Sequence, residues 1–395
     1  MKSFTSKLFC LLVFSFFSVQ LLVANNFTDK DSAQSETLFK TQPFLQNPFE
    51  GGVTISWFTN ELTHGWVEFG TDQHFGQKAE TRIGGQTVAN VKHHKIRLEN
   101  LNPGVTYYYR ACSRKVLQYD AYKKNFGDIE YTETYSFKLP DTKLENFTAL
   151  VFNDLHKHKE TLEALLEQVK GVNYDFVIYN GDCIDDPVNE EDALKFISFS
   201  NEAVNAAEKP LIYIRGNHEI RGAFSVGLNQ IIDYPGGKTF GAFNWGDTRF
   251  IILDCGEDKP DNHWVYYGLN NFDELRNSQL TFLEAERKNK AFRNAEKRVL
   301  IHHIPIHDSN PKQYAPCSEL WSDVLNRSNI SVALNAHTHH FAYHEKGSIG
   351  NDYPVIIGGG YKKNDATVMV LSKTGKKLSL KVTGADGTIL GDYQF

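Results

Sequence analysis

The amino-acid sequence predicts an all-β sandwich followed by an α/β domain. At 395 residues the chain is longer than a single hydrophobic core usually supports, which favours more than one domain. Short alternating segments separated by turn residues occupy the region 42–140, and beyond it continuous apolar runs alternate with helix-like segments. Short strands with frequent turns are typical of two packed sheets, whereas the second pattern is typical of strands that helices bury on both faces.

The first 24 residues have the composition of a secretory signal peptide. Lys2 and Lys7 form a basic start, and the run 8–24 is almost wholly apolar. This order predicts cleavage near the end of the run, with a polar linker over 25–41 before the first domain. The alternative is a retained membrane anchor, for which the run is short. We therefore expect a secreted or periplasmic protein with no membrane span in its mature chain.

The net charge and the cysteine spacing argue against a nucleic-acid site and a zinc–thiolate site. The chain has 42 basic and 48 acidic residues and a net charge of −6, so it offers no electrostatic footprint for nucleic acid and we expect no such partner. The cysteines beyond the leader have no CxxC spacing, which argues against a zinc–thiolate site. They are Cys112, Cys183, Cys255 and Cys317. An exported chain can form two disulfides from them, but the apolar runs before Cys183 and Cys255 favour buried free thiols.

The region 42–140 is predicted to form the sandwich. The predicted strands are 53–58, 66–69, 94–98, 107–110 and 131–137. The segment 101–107 has the sequence of a tyrosine corner, with Tyr107 at the start of a late strand. On these features the region resembles a fibronectin type III-like domain. Because it carries no cluster of ligand-type side chains, we expect it to play a supporting role.

The region 145–395 is predicted to alternate strands and helices. Predicted strands are 148–152, 176–179, 211–214, 250–253, 299–301 and 332–334, and predicted helices are 158–170, 192–207 and 275–293. Three further strand-like runs at 355–357, 367–371 and 378–382 are interpreted as completing a second sheet of the same domain.

Ligand-type side chains follow the carboxyl ends of several predicted strands. The motifs are Asp154-Leu155-His156, Gly181-Asp182, Gly216-Asn217-His218-Glu219, His302 and His337-Thr338-His339. The carboxyl ends of strands form the edge at which open α/β sheets place their sites. Any single histidine here is better explained by a structural hydrogen bond, but the joint set predicts a two-metal centre. Mixed imidazole and oxygen ligands suit iron, zinc or manganese and do not choose among them.

The order and spacing of these motifs resemble the calcineurin-like metallophosphoesterase family, whose pattern is DxH, GD, GNH followed by an acid, a strand-end His, and GHxH. The resemblance begins near Phe147 and implies a four-layer αββα fold for 145–395. Together with the N-terminal sandwich, the layout is similar to that of purple acid phosphatases. Three positions depart from these patterns. Ala336 stands where the family usually has Gly, Asp185 stands where purple acid phosphatases have a Tyr, and His156 is a histidine that they lack.

The resemblance also implies a role for each motif residue. The first metal ion would be held by Asp154, His156, Asp182 and His339, and the second by Asp182, Asn217, His302 and His337, so that Asp182 bridges the two. His218, outside the metal shell, would assist the leaving oxygen as the catalytic residue. Glu219 would orient its loop. Weaker candidates for substrate contact are Asn217, His218, Arg221 and His303, although His303 is better explained as a core or outer-shell neighbour of His302.

The leading hypothesis is an exported phosphomonoesterase that acts on a small phosphorylated substrate, with a metal-bridging hydroxide as the nucleophile. The alternative is a phosphodiesterase or nucleotide pyrophosphatase with the same centre. The segment 254–272 contains Trp264, Tyr266 and Tyr267. It is interpreted either as a stacking surface for a base or as a solvent-covering loop. A non-catalytic binding protein is the third hypothesis, and the complete ligand set argues against it.

Overall fold

The computed structural model describes residues 37–49, 51–141, 143–307 and 315–395. The predicted signal peptide and most of the predicted linker lie outside these residues. Within the described part of the chain, no helix is long and apolar enough to span a membrane. Residues 37–41, at the end of the predicted linker, contact the first domain, because the backbone N–H of Lys40 donates to the carbonyl of Phe58 at 2.8 Å.

The N-terminal domain is built from β-strands. They are β1 (Phe44–Gln46), β2 (Val53–Gly70), β3 (Gln77–Ala79), β4 (Arg82–Ile83), β5 (Gln86–Thr87), β6 (Ala89–Leu98), β7 (Thr106–Tyr119), β8 (Lys124–Tyr131) and β9 (Tyr135–Lys138). The first half of β2 pairs with β1 and β6, and its second half pairs with β3 and β7. Apolar side chains of β2, β6 and β7 form the core of this domain. The predicted β-rich N-terminal domain is confirmed.

Two details of this domain differ from the prediction. The predicted strands 53–58 and 66–69 are both part of β2, because pairing with β6 and β7 continues across an irregularity near Thr63 and His64. The predicted strand 131–137 is interrupted between β8 and β9, where the Thr132 hydroxyl accepts a hydrogen bond from the backbone N–H of Ala111. The tyrosine corner is confirmed, since the Tyr107 hydroxyl accepts the backbone N–H of Asn102 at 2.9 Å.

The second domain contains two sheets and the helices. Its strands are β10 (Phe147–Phe152), β11 (Phe176–Asn180), β12 (Leu211–Ile214), β13 (Gly241–Trp245), β14 (Thr248–Ile252), β15 (Lys297–Ile301), β16 (Val332–Asn335), β17 (Ala342–His344), β18 (Val355–Ile357), β19 (Thr367–Thr374), β20 (Lys377–Gly384) and β21 (Ile389–Gln394). Its helices are α1 (Lys159–Gln168), α2 (Glu190–Ala203), α3 (His218–Arg221), α4 (Ser225–Ile231), α5 (Phe272–Glu286), α6 (Lys290–Asn294) and α7 (Pro316–Asn326), with short 3₁₀ turns at Pro235–Gly237 and Trp264–Tyr266.

The two sheets pack face to face and helices cover their outer faces. The first sheet has the order β21-β20-β19-β10-β11-β12 and continues through β1 into β2 of the N-terminal domain. The second has the order β13-β14-β15-β16-β18-β17. One core lies between the sheets, a second lies under α1, α2 and α4, and a third lies under α5 and α7. This is the predicted four-layer αββα arrangement, and burial of the central strands on both faces explains their continuous apolar runs.

Side-chain caps set helix boundaries that differ from the prediction. The predicted helix 275–293 is divided into α5 and α6, because Asn289 is extended and its side chain caps α6 through the backbone N–H of Ala291. Helix α2 begins earlier than predicted, because Asn189 caps it through the backbone N–H of Asp192. Such caps satisfy backbone donors that the first helical turn leaves without partners. The four cysteines of the described chain are buried free thiols, as favoured from the sequence.

Candidate metal centre

Loops at one edge of the two sheets bring the candidate ligands together. Asp154 follows β10, Asp182 follows β11 and Asn217 follows β12 of the first sheet. His303 follows β15 and His337 follows β16 of the second sheet. The predicted position of the site, beyond the carboxyl ends of the strands, agrees with this geometry.

The backbone of several candidate ligands adopts the left-handed conformation. The residues are Asp154 (φ 47°), His156 (φ 44°), Asp182 (φ 51°), His337 (φ 71°) and His339 (φ 61°). Each such non-glycine residue costs on the order of 1–3 kcal/mol and persists only where the surrounding structure imposes it. Strained residues are therefore concentrated in the ligand motifs. Their backbone conformation directs the side chains toward the site at a cost in local stability.

The motif glycines are required by close packing around the site. A side chain at Gly181, whose φ is +80°, would overlap the ring of His303. A side chain at Gly216 would overlap the carboxylate of Asp182. Ala336, which replaces the usual family glycine, is fully buried and is not among the residues with positive φ, so its methyl group is accommodated without backbone strain.

A first group of potential ligands consists of Asp154, His156, Asp182 and His339, whose ligand atoms all lie within 4.8 Å of one another. Nε2 of His339 is 3.3 Å from Oδ1 of Asp154, and Nε2 of His156 is 3.9 Å from Oδ2 of Asp182. The Nε2 atoms of His156 and His339 are 3.1 Å apart. These are the four residues expected to hold the first ion.

A second group consists of Asp182, His303 and His337. Nε2 of His303 is 3.0 Å from Oδ2 of Asp182, and the rings of His303 and His337 are 5.5 Å apart. Oδ1 of the buried Asn217 has no hydrogen-bond partner among the described residues. Asp182 belongs to both groups, as expected for a carboxylate that bridges two ions.

The geometry contradicts the assignment of His302 to this second group. Nδ1 of His302 is 2.8 Å from the carbonyl oxygen of Ile304, and Asn335 Nδ2 is 2.9 Å from its Nε2. Burial lowers the pKa of His302 to about 3. Burial also acts to lower the pKa of His303, but the negative charges of Asp182 and Asp154 outweigh it and raise that pKa to about 10. His303, and not His302, therefore lies in the anionic pocket that favours a cation.

Strand alternation gives the physical reason for this correction. In β15, Val299 and Ile301 face the core between the sheets, whereas Leu300 faces the helices. Continuing the period of two directs His302 to the helix side, where it approaches Cys255, and His303 toward the first sheet. This alternation can be read from the sequence. The prediction used only the position of His302 at the end of the strand.

Asp185, which the sequence suggested as an anchor for a ligand or for an entrance loop, lies at the site. Its Oδ1 is 3.1 Å from Nδ1 of His156 and 2.6 Å from Nδ1 of His218. Hydrogen bonds from these two rings hold the pKa of Asp185 far below its usual range. A carboxylate on the far nitrogen of a ligand histidine fixes the ring orientation and its tautomer. Asp185, at the position of the purple-phosphatase tyrosine, thus connects a candidate ligand to the candidate catalytic histidine.

His218 lies beside the shared carboxylate. Its backbone N–H donates to Oδ1 of Asp182 at 2.9 Å, and its ring is also 3.2 Å from Asp186. Burial acts to lower the pKa of His218, but its hydrogen bond to Asp185 and the charge of Asp182 outweigh burial and raise that pKa. The neighbouring carboxylates therefore stabilise a positive charge on the imidazole, and the charge of Arg221 opposes it.

Residues beneath the site hold its loops. The Glu219 carboxylate accepts the backbone N–H groups of Asp182, Cys183, Ile184 and Gly216 at 2.8–2.9 Å, as expected for a residue that orients the loop. Asn153 donates to Oδ2 of Asp154 at 2.9 Å. The ring of Tyr361 lies 5.1 Å from that of His156. No sequence motif distinguished Asn153 or Tyr361.

Arg221, a weaker substrate candidate, is held by carboxylates. Its guanidinium bonds to Glu257 at 2.9 Å and to Asp258 at 3.2 Å, and Nη1 lies 3.1 Å from Nε2 of His218. The arginine therefore stands next to the candidate catalytic histidine, in an orientation fixed by two acidic residues.

The donor set fits two metal ions. Oδ1 of Asp154 and Oδ1 of Asn217 are buried and have no hydrogen-bond partner among the described residues, although such atoms are normally satisfied. Together with the histidine nitrogens they form a mixed oxygen and nitrogen set, which suits iron, zinc or manganese. Two groups that share one carboxylate correspond to two adjacent ions.

Comparison with known proteins places this geometry in a family. Residues 147–341 match the family model of calcineurin-like phosphoesterases. The second domain belongs to that family. Residues 44–139 match the model of the purple acid phosphatase N-terminal domain. The calcineurin-like match and the ligand groups identify the chain as a metal-dependent phosphoesterase.

Solved structures share the fold at low sequence identity. A purple acid phosphatase, PPD1, from yellow lupin (Lupinus luteus) seeds superposes with a TM-score of 0.65 and 14% identity, covering 89% of this chain and 73% of that chain. A structure of PhoD superposes with a TM-score of 0.56 and 12% identity, covering 90% of this chain and 88% of that chain. No curated protein sequence matches the chain. The two structural likenesses extend over both domains.

Proposed function

We propose that this chain is an exported phosphomonoesterase with a dinuclear metal centre. The observation that supports this proposal most directly is the pair of ligand groups that share Asp182. The composition of residues 1–24 supports export. We propose a small phosphorylated molecule as the substrate.

Two ions of iron, zinc or manganese would be held by the two groups. The first would be held by Asp154, His156, Asp182 and His339, and the second by Asp182, Asn217, His303 and His337. When bound, the ions supply charge neutralisation at the phosphoryl group and activation of water. His303 replaces His302 in this proposal because it faces Asp182 at 3.0 Å.

The remaining site residues act on the leaving group. His218, whose Nδ1 is 2.6 Å from Asp185 and whose backbone N–H is bound to Asp182, lies beside the metal groups and is placed to assist the departing oxygen. Asn217, at the start of the same short helix, would contact the phosphate as well as an ion. Arg221 lies next to His218 Nε2 on the leaving-group side, with its own charge paired to Glu257 and Asp258.

A phosphodiesterase or nucleotide pyrophosphatase is the second candidate function, since the same centre serves both. It is favoured by a cavity of about 1060 Å³ on the Arg221 side, which has room for a second ester group.

A phosphate-release screen over monoesters, diesters and nucleotides, with metal analysis of the same sample, tests the proposal. We expect release from monoesters with about two metal ions per chain. Asp182→Asn should lose at least one ion and nearly all activity, because both groups use this carboxylate. Retention of both ions in Asp182→Asn would contradict the bridging role, and no turnover with any added metal would contradict the enzyme assignment.

A further inference from the structure

A large cavity adjoins the candidate metal centre. It has a volume of about 1060 Å³ and is formed by the segment after β14, by the start of α5 and by α3, α4 and the loop between them. This volume lies just above the range of roughly 300–1,000 Å³ that is typical of sites for drug-sized ligands. The lining is rich in apolar side chains, among them Val226, Tyr266, Tyr267, Leu269 and Phe272.

Arg221 connects the cavity to the candidate metal centre. It lines the cavity, and its Nη1 is 3.1 Å from Nε2 of His218. Glu257, which also lines the cavity, holds the arginine in place through a bond of 2.9 Å. A group that leaves the phosphorus on the His218 side therefore extends past Arg221 into the cavity.

The cavity is electrostatically balanced. Each cation in its lining is paired with a carboxylate: Arg215 with Asp254 at 2.6 Å, Arg221 with Glu257 at 2.9 Å, and Lys259 with Asp258 at 2.5 Å. Paired cations offer little attraction to a second phosphate group. This argues against a polyphosphate or a heavily phosphorylated molecule as the occupant.

The rim of the cavity exposes large apolar side chains. Val226 is 75% exposed, Tyr267 is 81% exposed and Leu269 is 86% exposed. Asn229 and Asn270 line the same cavity, and their side chains form no hydrogen bond with the described residues. Apolar and aromatic walls with a few amide groups are the lining that fits a flat, weakly polar ring system.

We propose that this cavity binds the alcohol portion of the phosphate ester, and that this portion is an uncharged aromatic group of nucleoside size. The inference rests on the proposed phosphatase function, because the phosphate is assigned to the metal centre. It deepens that function by naming the segment 254–272 and α4 as the elements that select the substrate. In this proposal the exposed ring of Tyr267, at the cavity wall, stacks on the bound aromatic group.

Leu269→Glu tests the inference by kinetics. The exposed position tolerates the substitution, while the new charge opposes an uncharged ring. We expect wild-type kcat/KM to be higher for adenosine 5′-monophosphate than for methyl phosphate. We also expect Leu269→Glu to lower kcat/KM for adenosine 5′-monophosphate about tenfold and to leave kcat/KM for methyl phosphate unchanged. The matched control is Ile83→Glu, which changes an apolar residue with 70% exposure in the N-terminal domain and should alter neither value.

Calorimetric titration with adenosine gives a second measurement that needs no turnover. Adenosine should bind the wild-type protein and Ile83→Glu, and bind Leu269→Glu about tenfold more weakly. If neither ester is hydrolysed but this binding pattern holds, the cavity assignment stands and the phosphatase proposal fails. If both esters are hydrolysed with equal kcat/KM and Leu269→Glu changes nothing, the phosphatase proposal stands and the cavity assignment is overturned.

Discussion

At the scale of single residues, two adjacent histidines have opposite environments. His303 faces Asp182 at 3.0 Å, whereas His302 contacts the carbonyl of Ile304 and the amide of Asn335. We predict that His303→Ala loses one metal ion per chain. Phosphatase activity should fall at least about a hundredfold, since removal of an outer partner of a ligand already costs about 10–100-fold. Metal analysis and phosphate release on the folded variant measure both effects.

His302→Ala is the matched control for that experiment. It should keep both ions and lose about 1–3 kcal/mol of unfolding free energy, because the buried Asn335 amide loses an acceptor. Loss of metal from His302→Ala together with full metal in His303→Ala would restore the original assignment of His302.

Asp185 provides a second prediction at this scale. It contacts both His156 and His218, whereas Asp186 contacts His218 alone of these two, at 3.2 Å. Asp185→Asn should therefore weaken metal binding by about 10–100-fold, because the His156 ring loses its charged partner. Asp186→Asn should leave metal affinity unchanged. Competitive titration with a chelator measures the affinities, and equal affinities in both variants would show that Asp185 does not position His156.

The residue types at the site were predictable, but the contacts were not. Aspartates and histidines at strand ends indicated the metal chemistry, because few other side chains provide such ligands. The choice between His302 and His303 required the side-chain alternation of β15, whose last residue the sequence placed correctly. Asp185 and Asn153 act through hydrogen bonds to other side chains, which depend on tertiary structure and leave no periodic signal in the sequence.

At the scale of elements, the tyrosine corner allows a third prediction. Tyr107 is buried, and its hydroxyl fixes the turn at Asn102. Tyr107→Phe should lower the free energy of unfolding by about 0.5–1.5 kcal/mol, the usual value of one hydrogen bond. Urea denaturation followed by fluorescence measures the change. Tyr108→Phe is the control, since the Tyr108 hydroxyl forms no hydrogen bond with the described residues, and an equal loss there would assign the effect to ring packing.

Element type was easier to predict than element boundaries. The apolar runs of β10, β11 and β12 extend over whole strands because both faces are buried. Helix ends depend instead on single caps, such as Asn189 and Asn289, which compete with the apolar periodicity of the flanking residues. The joining of two predicted strands into β2 depends on its partners β6 and β7, which local sequence does not reveal.

At the scale of the whole molecule, the two domains share a sheet. Strand β1 pairs with β2 of the N-terminal domain and with β12 beside the candidate metal centre. The Tyr109 hydroxyl donates to the carbonyl of Ala207 across the same boundary at 2.7 Å. The change of sequence pattern near residue 140 predicted two domains. It did not reveal the shared sheet, because β1 is only three residues long, too short to give a strand pattern. Shared pairing leads us to expect that the N-terminal domain influences the stability of the whole chain.

The pH dependence of that stability provides the last prediction. Burial lowers the pKa of His93 in β6 to about 4 from an ordinary value of 6.5, and its ring stacks on Phe58 at 4.2 Å. Between these two pH values the unfolded chain binds a proton that the folded chain does not, so stability falls as the pH falls. One such histidine contributes about 2 kcal/mol of loss between about pH 7.5 and about pH 5. His93→Phe keeps the stacked ring and removes the titrating group. His93→Phe should therefore reduce the loss of unfolding free energy at low pH by about that amount. The control His74→Gln, which changes an exposed histidine, should retain the wild-type loss. Urea unfolding of the three proteins at both pH values measures the difference, and equal acid losses in all three would show that His93 is protonated in the folded state.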